Sequence, residues 1–240
     1  MPRQSRHRST TDVYHVILRG INRMDIFCDV ADRQIFLHYL KSQISENFEV
    51  YGYCLMTNHI HMIVKSDTLS KSIHDLATVY AMWFNKKYKR IGSLFQDRFR
   101  SENIETENYF ICCLRYILRN PVKAGICHQV ASYPWSSYSA YFSLSETFVS
   151  THFLSLFFDS HENFEAFVCQ DNDEIYMDID KPTDEEIQRL IDEKLGEKKF
   201  AELTLTEKKQ LLKEIKYSVK AGLRQLARIT NIPYYTIRKL

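Results

Sequence analysis

The chain has 240 residues, 45% hydrophobic and 26% charged, a size and balance that suit one sizeable globular core plus a smaller module. No stretch approaches the roughly 18 consecutive apolar residues of a membrane span, and the basic, polar start MPRQSRHRSTT has no apolar run behind it, so neither a membrane helix nor a secretory signal is expected. Six cysteines without C-x-x-C spacing argue for reduced thiols in a cytoplasm, against a disulfide framework or a cysteine zinc site. The net charge of +2 conceals an asymmetry: Lys+Arg against Asp+Glu is 18 to 12 over residues 1–142, 7 to 17 over 143–212 and 7 to 1 over 213–240. Two basic ends around an acidic middle are either a footprint of nucleic-acid binding or a set of solvated faces.

In chain order, Tyr14 to Arg19 (YHVILR) reads as a strand closed by Gly20. Residues 29–45 place Ile35, Phe36, Tyr39, Leu40 and Ile44 at helical spacing. Glu49 to Met56 and Ile60 to Lys65 are β-rich runs joined through Thr57 and Asn58, a hairpin. Residues 70–88 predict a helix capped by Ser70 or Ser72, with Ile73, Leu76, Ala77, Tyr80 and Phe84 as its apolar stripe. Leu94 to Ile104 is the fourth strand, and Thr106 caps a helix that runs to about Arg119, ahead of Pro121. The order β-α-β-β-α-β-α predicts an α+β class: a ferredoxin-like split βαβ core with an antiparallel sheet and its helices on one face. That core is expected over residues 1–142, closing after Pro134–Trp135–Ser136. An acidic connecting segment follows over 143–182, with a linker at 171–180, then a helical module over 183–240 in which Thr183 and Thr206 cap helices.

His59–Ile60–His61 carries the sharpest local signal. Residues i and i+2 of a strand share a face, so both imidazoles project together while Ile60, Met62 and Val64 face a core. The pair is either a chelate for a divalent ion or a hydrogen-bonded pair on a polar sheet face. Tyr116 and Asn120 lie one helical turn apart, which brings a phenol and an amide oxygen to one side. Among 15 tyrosines, one at a helical position is by itself as easily a core residue. Arg98 and Arg100 alternate with Phe99, with Gln96 on the arginine side: a phosphate-contacting stripe or a solvated strand face. Lys86 and Lys87 either touch DNA or complement the negative end of a helix. Arg3, Arg6 and Arg8 read as a basic arm; His15, His38, His74 and His128 read as structural.

Taken together, YHVILRGINRMDIF, MTNHIHMIV, GSLFQDRFR and RYILRNPVKAG, followed by YPWSSY, resemble the HUH single-tyrosine transposases, and within them the REP-associated tyrosine transposases. The resemblance spans about residues 1–142. It implies a ferredoxin-like core, a Mg²⁺ or Mn²⁺ ion held by His59 and His61 with Asn120 completing the site, and Tyr116 as the nucleophile that attacks a DNA phosphate. The implied product is a 5′-phosphotyrosine link with a free 3′-hydroxyl on single-stranded or hairpin DNA. Two alternatives share the motifs: a replication or conjugation nickase, and a domesticated DNA-binding protein without cleavage. The family also implies a cytoplasmic, nucleoid-associated location, and it uses both monomers and homodimers.

Residues 222–240 (GLRQLARITNIPYYTIRKL) read as a helix-turn-helix. Leu223, Leu226 and Ala227 pack the first helix, Asn231 takes the left-handed turn, and Ile232 and Ile237 anchor the second. Arg224, Tyr234, Tyr235, Thr236 and Arg238 then face outward, either to read double-stranded DNA or to meet a protein.

Overall fold

The computed structural model describes residues 8–142, 147–170, 184–196, 200–219 and 223–237. Two compact units divide the chain, residues 1–174 and 175–240. The first is built on four strands, β1 (Val13–Arg19), β2 (Phe48–Leu55), β3 (His59–Ser66) and β4 (Arg100–Asn103), with α1 (Val30–Ser42), α2 (Leu69–Lys87) and α3 (Glu107–Lys123) between and after them. All three strand pairs are antiparallel, in the order β2-β3-β1-β4, as the ferredoxin-like reading expects.

The helices do not share one face. Leu18 lines a groove with Ile73 and Ala77 of α2, and the α1 ring of Phe36 packs edge-on against Tyr80 of α2 at 5.2 Å, so α1 and α2 cover the side to which Val16 and Leu18 point. The other side belongs to α3. Gly52 stands opposite Ile63, and a Cβ at Gly52 would lie 2.7 Å from a methyl of Leu114 in α3. The 17-residue α3 is buried at Phe110, from Cys112 to Leu114 and from Tyr116 to Pro121, and needs a covering surface, which this second sheet face supplies.

Local chemistry sets the helix ends. Asp29 caps α1 in a reciprocal box with Asp32, each side chain bound to the other's backbone N–H. The fully buried Asp32 carboxylate also accepts from Cys28 N–H, from the Tyr88 hydroxyl at 2.9 Å and from Lys87 Nζ at 2.6 Å. Residue 68, not Ser70 or Ser72, occupies the cap position of α2, and Thr68 makes no side-chain capping bond. Thr106 caps α3 as expected, accepting from Tyr109 N–H at 3.2 Å. The helix continues through Pro121 to Lys123, four residues past the end expected at Arg119. Its closing carbonyls are satisfied by Ala124, Gly125 and Ile126 N–H groups, with Gly125 at φ +68°. Burial of Asn120 and Pro121 outweighs the bias of a pre-proline residue against helix.

The fourth strand is shorter than expected. Phe95 makes only an isolated bridge to Gly20, and residues 96–98 bend before pairing begins at Arg100. In one continuous strand Asp97 would share the face of Phe95 and Phe99; both rings are buried and Asp97 is exposed, which the bend makes possible.

The YPWSSY run protects an edge. Leu55 N–H donates to Trp135 O, Ser137 N–H to Tyr53 O, and the Tyr133 and Tyr141 hydroxyls to Leu55 O and Tyr51 O, so the outer side of β2 is covered. The acidic segment also begins with structure. α4 (Leu154–Phe157) and α5 (His161–Cys169) belong to the first unit, and Arg119 of α3 donates to the carbonyls of Val168 and Cys169 at the end of α5. Phe164 is buried against Tyr141. A connector starting at 143 is therefore corrected: aromatic residues at 153, 157, 158, 164 and 167 outweigh the segment's acidity. The expected linker at 171–180 and the Thr183 cap lie outside the described residues.

The second unit holds α6 (Asp184–Leu195), α7 (Leu205–Val219), α8 (Leu223–Thr230) and α9 (Tyr234–Ile237) around Ile187, Ile191, Leu212, Ile215, Leu226 and Ile237. Thr204, not Thr206, caps α7: its hydroxyl accepts from Glu207 N–H while the Glu207 carboxylate accepts from Thr204 N–H. Asn231 adopts φ +55° between α8 and α9, the left-handed turn read from the sequence.

Candidate active site

Strand alternation and the register of β1 and β3 build the site. His61 stands opposite Ile17, and His15, two residues back on β1, reaches it diagonally: His15 Nε2 and His61 Nδ1 are 3.0 Å apart, with the rings stacked at 5.3 Å. Both imidazoles are fully buried. His59, half-buried at the start of β3, lies edge-on to His61 with ring centroids 5.0 Å apart. From the facing helix, the Tyr116 ring meets His61 edge-on at 5.8 Å and His15 at 6.3 Å. Thus the two histidines and the tyrosine picked from the sequence do converge, and a third histidine read as structural joins them.

The turn of the β2–β3 hairpin orients His59. Asn58 Nδ2 donates to Arg23 O at 3.2 Å, which leaves Oδ1 as the end that faces His59 Nδ1, 2.6 Å away. An amide oxygen only accepts, so His59 carries its proton on Nδ1 and its lone pair on Nε2. The loop is held in turn by Gly20, whose N–H donates to Asn58 O; a Cβ there would sit 2.2 Å from Met24 O, and Asn22 and Arg23 take φ +50° and +58°. The LRGINR sequence is thus a turn built to present Asn58.

Asn120 is buried one turn beyond Tyr116, and its Nδ2 donates to Tyr116 O at 3.1 Å. Its place on the helix is the expected one; the contact shown is with the helix backbone. Lys123, a further turn on, brings Nζ to 5.3 Å from the centre of the Tyr116 ring, a cation next to the candidate nucleophile. The continuation of α3 past Pro121 is what places it there, so a helix expected to stop at Arg119 conceals it.

The donor set fits a divalent ion. Two imidazoles on adjacent same-face positions, each with Nδ1 engaged by a partner, would present Nε2, the arrangement in which a second hydrogen bond orients a ligating histidine. Among the described residues no group of three His, Cys, Asp or Glu side chains could hold a metal alone. A third donor would therefore be an amide or a phosphate oxygen, both suited to Mg²⁺ or Mn²⁺.

The cationic candidates separate. Lys87 is engaged by Asp29 and Asp32, each 2.6 Å from its Nζ, and is a structural ion pair. Lys86 is exposed. Arg98 and Arg100 are both exposed, but only Arg100 is in a strand; Arg98 and Gln96 line a groove of about 810 Å³ between α2 and residues 92–99. In the second unit Tyr235 is 71% exposed. The side chains of Arg224 and Tyr234, and all of Arg238, lie outside what the structure describes.

Residues 9–120, from the approach to β1 through Asn120, match the sequence model of the family described as Transposase IS200 like. The match takes in the four-stranded sheet, α1, α2 and α3 as far as Asn120. Among solved structures, the "Structure of the REP associates tyrosine transposase bound to a REP hairpin" matches with a TM-score of 0.51 and 20% identity over 59% of this chain and 86% of that one. The likeness is one of fold. No curated protein matches the chain. No described helix is long and apolar enough to cross a membrane.

Proposed function

We propose that the protein is a metal-dependent single-stranded DNA endonuclease and strand-transfer enzyme, with Tyr116 as nucleophile and His59 and His61, together with Asn120, as holders of Mg²⁺ or Mn²⁺. The observation that carries this reading is the packing of the Tyr116 ring against His61, itself 5.0 Å from His59, on a family-matched sheet. A divalent ion at the two imidazoles would polarise the scissile phosphate and offset the charge that develops on it. Tyr116 Oη forms the new bond to phosphorus as the bond to the 3′ oxygen breaks. The phenol's proton passes to solvent and the departing oxygen takes one up, leaving a 5′-phosphotyrosine and a 3′-hydroxyl. One ester replaces another, so the reverse attack by a 3′-hydroxyl rejoins DNA without ATP.

The structural relative is bound to a REP hairpin, which supports hairpin DNA as the substrate class here. The exposed Arg98, Arg100 and Lys86 are the cations proposed to follow its backbone. The α8–α9 pair is proposed as a double-stranded DNA contact through the exposed Tyr235.

The test is cleavage of end-labelled hairpin oligonucleotides by wild type and Tyr116→Phe, each with Mg²⁺, Mn²⁺ or EDTA. A covalent protein–DNA adduct is expected with wild type and metal, and none with EDTA or Tyr116→Phe. Cleavage that persists in Tyr116→Phe would sink the nucleophile assignment; tight hairpin binding without any cleavage would make this a DNA-binding protein.

A further inference from the structure

We infer that His15 is a positioning residue for the metal site: it accepts the Nδ1 proton of His61 and thereby keeps the His61 Nε2 lone pair turned toward the ion. The inference rests on the metal-assisted reading above. In a neutral imidazole one ring nitrogen donates and the other accepts, so the 3.0 Å contact between His15 Nε2 and His61 Nδ1 has two states. With the proton on His61 Nδ1, His61 Nε2 can coordinate. With the proton on His15 Nε2, His61 must carry its own on Nε2, and coordination there is blocked. His15 therefore stands to His61 as Asn58 stands to His59, and each ligand has its own orienting partner.

The geometry sets His15 apart from a third ligand. Its Nε2 is spent on His61, the rings lie 23° from parallel, and no group of three such side chains among the described residues could share an ion. Both rings are fully buried, so water does not compete for the bond and the pair is held by the β1–β3 register. Tyr116 lies edge-on to both, so the same stack that orients the ligand also backs the nucleophile's ring.

The full chain is titrated with Mn²⁺, read by electron paramagnetic resonance, for wild type, His15→Gln and His15→Leu, with circular dichroism as the folding control. Glutamine keeps an acceptor for His61 Nδ1–H and leucine does not. Wild type and His15→Gln should bind within about threefold of each other, and His15→Leu 10- to 100-fold more weakly, the range typical of lost partners of metal-bound histidines. Long-range ¹⁵N–¹H spectra of histidine-labelled, metal-free protein, with His61 assigned through His61→Asn, should show the Nδ1–H tautomer in wild type and its loss in His15→Leu. Folded His15→Leu that binds Mn²⁺ as wild type does, or a wild-type His61 protonated on Nε2, overturns the role of His15 alone. A wild type that fails to bind Mn²⁺ overturns the metal reading and this inference with it.

Discussion

Along β3, neighbouring residues meet different environments: Ile60, Met62 and Val64 are fully buried on the side of α1 and α2, while His59 and His61 face α3. The first face is a stack of hydrocarbon and rings, with Phe27, Phe36 and Tyr80 in mutual contact between 5.2 and 5.7 Å. The second is a buried polar cluster of His15, His61, Tyr116 and Asn120. One sheet therefore supports two kinds of interior, separated by the period of two that a strand imposes. Burial of polar groups costs stability unless they are paired, so the apolar face must offset what the site requires. Substitutions confined to one face should then change either stability or chemistry, and those that change both mark where the faces are coupled.

The largest stability effect is expected at Phe36, which is fully buried and holds both Phe27 and Tyr80. Phe36→Ala should lower unfolding free energy by about 3–5 kcal/mol. Metal affinity of the fraction still folded should match wild type. Denaturant titration reads the first and Mn²⁺ binding the second; a loss of affinity in folded Phe36→Ala would show that the faces are not independent.

Next comes the pair of adjacent lysines. Lys87→Met leaves Asp32 buried without its cation and should cost roughly 2–3 kcal/mol, less than a fully enclosed pair because Asp32 keeps three other donors and Lys87 is partly exposed. Lys86→Met should change stability by no more than about 0.5 kcal/mol, as surface substitutions do, and lower hairpin affinity. Chemical denaturation and fluorescence anisotropy on the same two variants check this. Equal stability losses would mean the Asp32 pair contributes little.

Much of this was legible in the sequence because it is local. The i, i+2 spacing puts His59 and His61 on one face, and the element order yields the β2-β3-β1-β4 sheet. Thr106 and Asn231 act where their residue types suggest. What was hidden is non-local. The role of His15 depends on the β1–β3 register, and the YHV motif shows only that a histidine alternates with Val16. Lys87 and Lys86 are equivalent in composition; only the approach of α1 to the end of α2 tells them apart. Lys123 was masked by Pro121, whose local preference is overridden by packing on the sheet.

Gly52 tests how tightly α3 is coupled to the strands that carry the histidines, and a modest stability effect there has the most informative consequence. It sits beside a bulge in β2 and opposite Ile63 on the site's face, where an added Cβ would come within 2.7 Å of Leu114 Cδ1 and 2.9 Å of the Tyr141 hydroxyl. Both are ends of side chains, so Gly52→Ala should fold, with Leu114 or Tyr141 displaced at a cost of about 1–3 kcal/mol. Leu114 is two residues from Tyr116 on α3, and a helix that lifts to accommodate one methyl lifts the nucleophile with it. The His15–His61–His59 array is on the strands and should stay in place. Mn²⁺ affinity is therefore expected to hold while the rate of adduct formation falls about 10- to 100-fold, the scale on which sub-ångström to ångström misplacement acts. Single-turnover cleavage against Mn²⁺ titration separates the two. If affinity and rate fall together, α3 and the strands move as one body and the site is not assembled from separable parts. If neither falls, the methyl is absorbed by Leu114 alone and the close approach at Gly52 does not set the height of Tyr116.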